Sequence, residues 1–262
     1  MRSTNSTLVS ALALGIFTLG GILLSGGAVL GEDFRVDNEV FVGKRTDPAS
    51  RSTTIFHNGV VYDFMDEPDE VIVLDKAAER FVLLDMARRI RSDLSVEDVT
   101  TFTTQLQRSA EKNGDPFIGF LANPKFDEQF DEGSSELTLS SEWMIYRLEL
   151  QSAGSPQLAH QYREFCDWYA RLNTMLHQGA KPPTARLLVN EAISRHAATA
   201  REVELTVTPK KTFPPVRVTL RSRHQVIRQV AEADLDRVTQ ARQFMSIFKP
   251  VSFEQYRAAE RL

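Results

Sequence analysis

Asn58-Gly59 lies between two strand-like runs, and no other dipeptide in the sequence ties down the local chain path so tightly. Both residue types tolerate the positive φ angles of a two-residue type I′ turn, so a hairpin is expected around them. Pairing outward from the turn sets His57 opposite Val60. Period-two alternation then puts Ile55, His57, Val60, Tyr62 and Phe64 on one face, and Thr54, Phe56, Val61 and Asp63 on the other. The polar break Asp66-Glu67-Pro68-Asp69 ends the second strand. Glu70–Leu74 and Arg80–Leu84 read as a third and a fourth strand, completing a meander. The runs VIVLD and FVLLD are apolar without alternation, as strands covered on both faces are.

The first 31 residues have a different character. Met1–Ser10 is polar with one basic side chain, Arg2, and Ala11–Leu30 is apolar or small without a charge. This pattern predicts an export signal cleaved after Val29-Leu30-Gly31, with residues 32–262 as a single α+β domain in the periplasm or outside the cell. The rival reading is an uncleaved membrane anchor, since a span takes about 20 apolar residues and residues 8–30 supply that length. In that case residues 8–30 are the only expected membrane contact. The one cysteine, Cys166, leaves no internal disulfide, so the core must supply the stability.

Charge is uneven. Residues 32–150 carry 13 basic and 25 acidic side chains, net −12, while residues 151–262 carry 17 and 10, net +7. Packing of complementary surfaces within one domain explains this, as does a basic patch that meets an anionic polymer or headgroup. A whole-chain charge of −4 in an exported protein argues against nucleic acid as a partner.

Arg35–Gly43 is a further strand expectation. Ser95 opens a helix, with Asp98 three residues on as the partner of a capping box. Ser135–Ser140 and Glu142–Gln151 alternate as strands. Pro156–His177 carries Leu158, Tyr162, Phe165, Tyr169, Leu172 and Leu176 at helical spacing. A helix over Thr184–Ala198 follows, then strands over Arg201–Thr208 and Val216–Ile227 joined by a loop with Lys210-Lys211 and Pro214-Pro215. A last helix covers about Glu232–Phe248.

No catalytic motif is defensible, and neither a cofactor nor a metal is expected. His160, Glu164 and Asp167 share a helix side at i, i+4 and i+7, but no second cluster exists to close a metal site. Cys166, or a serine, with one of the histidines would make a hydrolase only by tertiary encounter. Arg217, Arg221 and Arg223 share a strand face as candidates for anion binding, with Glu149, Glu202 and Glu204 as competing partners. Tyr62, Phe64, Trp143 and Tyr146 are candidate ligand-binding aromatics, because the same residues that fill a core also line an apolar cavity.

The shape F-x-N-G-x-V-Y-x-F followed by VIVLD and FVLLD, after an export segment and before a helix, further strands and a strand-then-helix end, resembles the LolA/LolB-like lipoprotein-carrier superfamily. The resemblance covers residues 35–150 and the remainder in outline. It implies an antiparallel sheet curved into a half-open barrel, covered by three to four helices, that holds a lipid or lipoprotein acyl chain without chemistry. The helical stretch 156–198 departs from a minimal carrier. The alternative is a structural or interaction protein of the envelope with a filled core, recognising another envelope protein through its basic C-terminal half.

Overall fold

The computed structural model describes residues 31–177, 179–208 and 217–258; the expected export segment and the Lys210-Lys211 and Pro214-Pro215 loop lie outside them. The Asn58-Gly59 turn forms as expected, with φ of 52° and 76°. It joins β2 (Ser50–His57) to β3 (Val60–Met65), and His57 opposes Val60. β4 (Glu70–Asp75) and β5 (Arg80–Asp85) continue the meander. The turn between them is closed by Asp75, whose Oδ1 accepts the Ala78 N–H at 3.1 Å, and by Glu79 at φ 49°.

The same device recurs ten residues later, a repeat that leads to one more strand than expected. Asp85 Oδ1 accepts the Arg88 N–H at 2.6 Å and Arg89 sits at φ 52°. The chain therefore turns through Met86–Arg89 and back into β6 (Ile90–Ser95), which takes Arg91 into the sheet. On the other side of the hairpin, β1 (Phe34–Val42) pairs with β2 and also with β11 (Val218–Ile227). Beyond β11 lie β10 (Ala198–Val207), β9 (Met144–Ser152), β8 (Glu136–Ser140) and β7 (Asp127–Asp131), and a two-residue β12 (Lys249–Pro250) runs parallel to β6.

The result is one 12-stranded sheet in the order β12-β6-β5-β4-β3-β2-β1-β11-β10-β9-β8-β7, antiparallel except at β12. The antiparallel α+β class is as the sequence implies, whereas the half-open barrel is not what forms. The sheet is neither closed nor strongly curled, and no pairing joins β12 to β7. Its central meander is instead an open layer held between helices on both faces.

Six helices are described: α1 (Val96–Glu111), α2 (Pro116–Ala122), α3 (Pro156–Leu176), α4 (Thr184–Arg195), α5 (Glu232–Ile247) and α6 (Phe253–Ala258). The expected capping box starts α1, with Ser95 Oγ accepting the Asp98 N–H at 2.9 Å. On one face of the meander Leu158, Phe165 and Leu172 of α3 pack on Phe34, Phe56, Val61 and Leu74. Phe34 stacks on Phe56 at 4.0 Å, and Phe165 meets Phe56 edge-on at 5.5 Å. On the opposite face Val238 and Ala241 of α5 cover Ile55, Val73, Val82 and Leu84. Double coverage explains why β4 and β5 are apolar throughout. In the other half of the sheet, Val189 and Ile193 of α4 pack on Leu137, Leu148 and Val203.

Candidate functional site

Between α3, the start of α4 and the strands β11, β1, β2 and β3 lies a cleft of about 260 Å³. Its walls are Tyr162, Phe165, Tyr169 and Ala170 of α3, and its floor is a line of polar side chains that replaces the apolar pattern of those strands. The line is continuous. Ser222 Oγ lies 2.9 Å from His224 Nε2, and His224 Nδ1 lies 2.8 Å from Asn38 Oδ1. Asn38 Nδ2 donates to Thr54 Oγ1 at 3.0 Å and to Ser52 Oγ at 3.2 Å. Thr54 Oγ1 donates in turn to Asp63 Oδ1 at 2.7 Å, and the Tyr169 hydroxyl of α3, close enough to Asp63 to act on its carboxyl, donates to Met65 Sδ at 3.6 Å.

Ladder register makes the line. Asn38 sits directly opposite both His224 and Ser52, and Thr54, two residues beyond Ser52 on the same face, sits opposite Asp63, so four adjacent strands present polar groups on one face. Because Asn38 Oδ1 can only accept, His224 must carry its proton on Nδ1, and Nε2 is left to accept from the Ser222 hydroxyl.

Burial disfavours the charged forms of Asp63, His224 and Cys166. Burial pushes the Asp63 carboxyl up from its ordinary value, against the lowering effect of its hydroxyl partners. Burial, reinforced by the positive charge of Arg186, takes His224 down to about 3. Burial raises the Cys166 thiol to about 11, although Arg186 and the Tyr162 hydroxyl both pull it the other way. Arg186, in the first turn of α4, is a charged group beside them. It is half-buried, lies close enough to Cys166 and Asp167 to lower the pKa of both, and forms no ion pair within 4.0 Å among the described residues.

Beyond the cleft an apolar strip continues on the same face of β1 and β11. Val40 lines the cleft, and two residues further along the same face Val42 opposes Leu220, both exposed, with Val218 beyond them. A second, wider concavity of about 730 Å³ lies on the opposite face, over β1, β11, β10 and β9. It is a shallow groove of paired charges: Arg51 with Glu39, Arg223 with Glu202, and Arg201 with Glu149. The smaller cleft has the aromatic walls and convergent polar groups of a ligand site, which the larger groove lacks.

The four aromatics singled out from sequence do not meet. Tyr62 and Phe64 face α5, where Arg242 Nε donates to the Tyr62 hydroxyl at 2.8 Å and Arg237 lies 4.2 Å from the Phe64 ring. Trp143 and Tyr146 pack in the other half of the sheet, against Phe117 and Phe126. Arg221 and Arg223 flank Glu202 and stack over Phe41 at 4.6 and 5.2 Å, while Arg217 is exposed just before β11. His160, Glu164 and Asp167 do not converge: Glu164 accepts from Lys76 at 2.5 Å, and Asp167 from Asn190 at 2.8 Å.

Asn38, Ser52, Asp63, Arg186 and His224 were not foreseen as site residues. One signal was present for Asp63, which the hairpin register puts beside Thr54 on a face otherwise destined for the core. No protein-family model matches the chain, and no curated protein is significantly similar to it in sequence. Among the described residues no helix is long and apolar enough to cross a membrane.

Proposed function

We propose that the chain is an exported, non-catalytic binding protein that holds a small apolar-tailed ligand in the cleft beneath α3. The observation that carries this reading is the cleft's composition: aromatic walls over a floor of hydrogen-bonding groups, with Val40 in the lining and the exposed Val42 and Leu220 further along the same face. It departs from the LolA/LolB-like carriers the sequence resembles in where enclosure would come from. There a half-barrel surrounds the acyl chain; here the lid is α3 laid across an open sheet.

Ser222, His224 and Asn38 touch in the order nucleophile, base and orienter, which invites a hydrolytic reading. Two features count against it. A general base working near neutral pH needs a pKa near that pH, and His224 sits at about 3. Its orienting partner is a neutral amide, which cannot offset the charge of an imidazolium as a carboxylate does. Cys166 at about 11 is likewise a poor nucleophile.

A second reading, an envelope protein that recognises a partner, draws on the broad charged groove across β1, β11, β10 and β9. The basic residues there are neutralised by neighbouring glutamates, so it offers a mixed surface in place of the basic patch expected from composition. Native mass spectrometry of the protein isolated from its own host tests the binding reading. A discrete small adduct, released on denaturation, is expected; a bare polypeptide that also stays bare after incubation with host lipid would overturn it.

A further inference from the structure

Arg186 is the one component of the cleft that the hydrogen-bonded line does not explain. A half-buried guanidinium without a directly paired carboxylate is costly, and Asp167 acts on Arg186 only from beyond ion-pair distance. Here Asp167 on α3 is the neighbouring acid, yet it is engaged by Asn190 at 2.8 Å and by Arg163 at 3.6 Å. The segments 1–30 and 209–216 contain no Asp or Glu at all, leaving Glu260 and the chain terminus as the only carboxylates beyond the described residues. What Arg186 does meet, the Cys166 thiol, carries no charge at neutral pH.

We infer that the cleft takes a single-chain amphiphile with a monoanionic carboxylate head, whose head pairs with Arg186 and whose tail leaves over Val40, Val42 and Leu220. This rests on reading the cleft as a ligand site and adds the class of ligand. A planar guanidinium fits a carboxylate through two parallel hydrogen bonds. The other arginine at the cleft wall, Arg51, is already paired with Glu39 at 3.2 Å, and the exposed Glu67 on the wall adds a negative charge, so Arg186 is the one cation left for an anionic head and a single negative charge is favoured. A dianionic phosphate monoester would bring a second charge with no second cation to meet it.

Size narrows the class further. Taking the roughly 30 Å³ that a water molecule occupies as the space per non-hydrogen atom, about 260 Å³ holds on the order of nine such atoms. That is a head and the first several carbons of one chain. Longer chains would continue along the exposed valines and Leu220, and a diacyl or triacyl lipid would not enter.

The test is calorimetric titration of the folded protein with dodecanoate, dodecanol and dodecyl phosphate, each below its micelle concentration. Wild type is compared with Arg186→Gln, Arg186→Lys and Ala170→Phe, which places a ring inside the cleft; unfolding midpoints check that each variant folds. Dodecanoate is expected to bind wild type at least tenfold more tightly than either analogue. Arg186→Gln is expected to lose at least tenfold for dodecanoate and little for dodecanol, Arg186→Lys to lose less, and Ala170→Phe to lose binding of both. Equal binding of dodecanol and dodecanoate, with Arg186→Gln changing neither, would overturn the anionic head while Ala170→Phe still reports the site. Tighter binding of dodecyl phosphate would overturn the carboxylate. If none of the three binds wild type, both the ligand class and the site reading fail.

Discussion

Asn38 Oδ1 accepts the His224 Nδ1 proton at 2.8 Å across the β1–β11 ladder, joining residues 186 positions apart in sequence. The same amide donates to Ser52 and Thr54 on β2, so one side chain ties three strands together beneath α3. Removing it leaves the imidazole N–H and two hydroxyls without their partner. Asn38→Ala is therefore expected to cost about 1–3 kcal/mol of folding free energy, the penalty of stranding buried polar groups. Urea unfolding measures it, and a change within a few tenths of a kcal/mol would show that water replaces the amide without loss.

Asp63 and His224 make opposite contributions to the pH dependence of stability. His224 is depressed to about 3, so between that value and its ordinary 6.5 the unfolded chain binds the extra proton. Its contribution is fully present above pH 6.5 and is lost as pH falls, with a limiting slope of about 1.4 kcal/mol per unit. Asp63 is raised, so its folded form binds the extra proton above 3.8, and stability falls as pH climbs from there toward the folded value. Asp63→Asn is expected to match or exceed wild-type stability at pH 7 and to steepen the acid limb left to His224. His224→Gln is expected to flatten that limb. Unfolding midpoints between pH 3 and 8 decide it, and parallel curves for all three proteins would contradict the assignment.

Cys166 is expected to react slowly. A thiol at about 11, two units above its ordinary 9.0, presents about 100-fold less thiolate at neutral pH. Alkylation of the native protein by iodoacetamide should lag behind that of the urea-unfolded chain by at least this factor and should rise with pH to about 11. Rapid labelling of the native protein at pH 7.5 would mean that the thiol is activated.

Tyr62 is a structural residue on the α5 side. Tyr62→Phe removes the hydrogen bond from Arg242 but keeps the ring, and about 1 kcal/mol of stability is expected to go with it. Ligand binding in the cleft on the other face should be unchanged. A binding defect with normal stability would point back to the meander's α5 face.

What the sequence showed of this fold was what local chemistry dictates. Asn58-Gly59 needed no tertiary context, and neither did the Ser95 capping box or the α3 stripe. The short strand β6 was legible too, through the repeat of Asp75-Lys76-Ala77-Ala78-Glu79 in Asp85-Met86-Ala87-Arg88-Arg89. The open shape of the sheet was not legible, because alternation along a strand is the same in a barrel wall and in a layer. The candidate site was hidden for a related reason. Asn38 and His224 become neighbours only through the β1–β11 pairing, and Arg186 enters from a helix whose docking no local pattern specifies. Aromatic residues drew attention instead, and at Tyr62, Phe64, Trp143 and Tyr146 they pack in two separate clusters.

Native mass spectrometry of wild type beside Ala170→Phe, both isolated from the producing host, tests the claim that the cleft beneath α3 holds a ligand. A small adduct on wild type, released on denaturation and missing from a folded Ala170→Phe, is the expected result. An adduct carried equally by both proteins would contradict the account, because a ring at position 170 leaves no room for a ligand there.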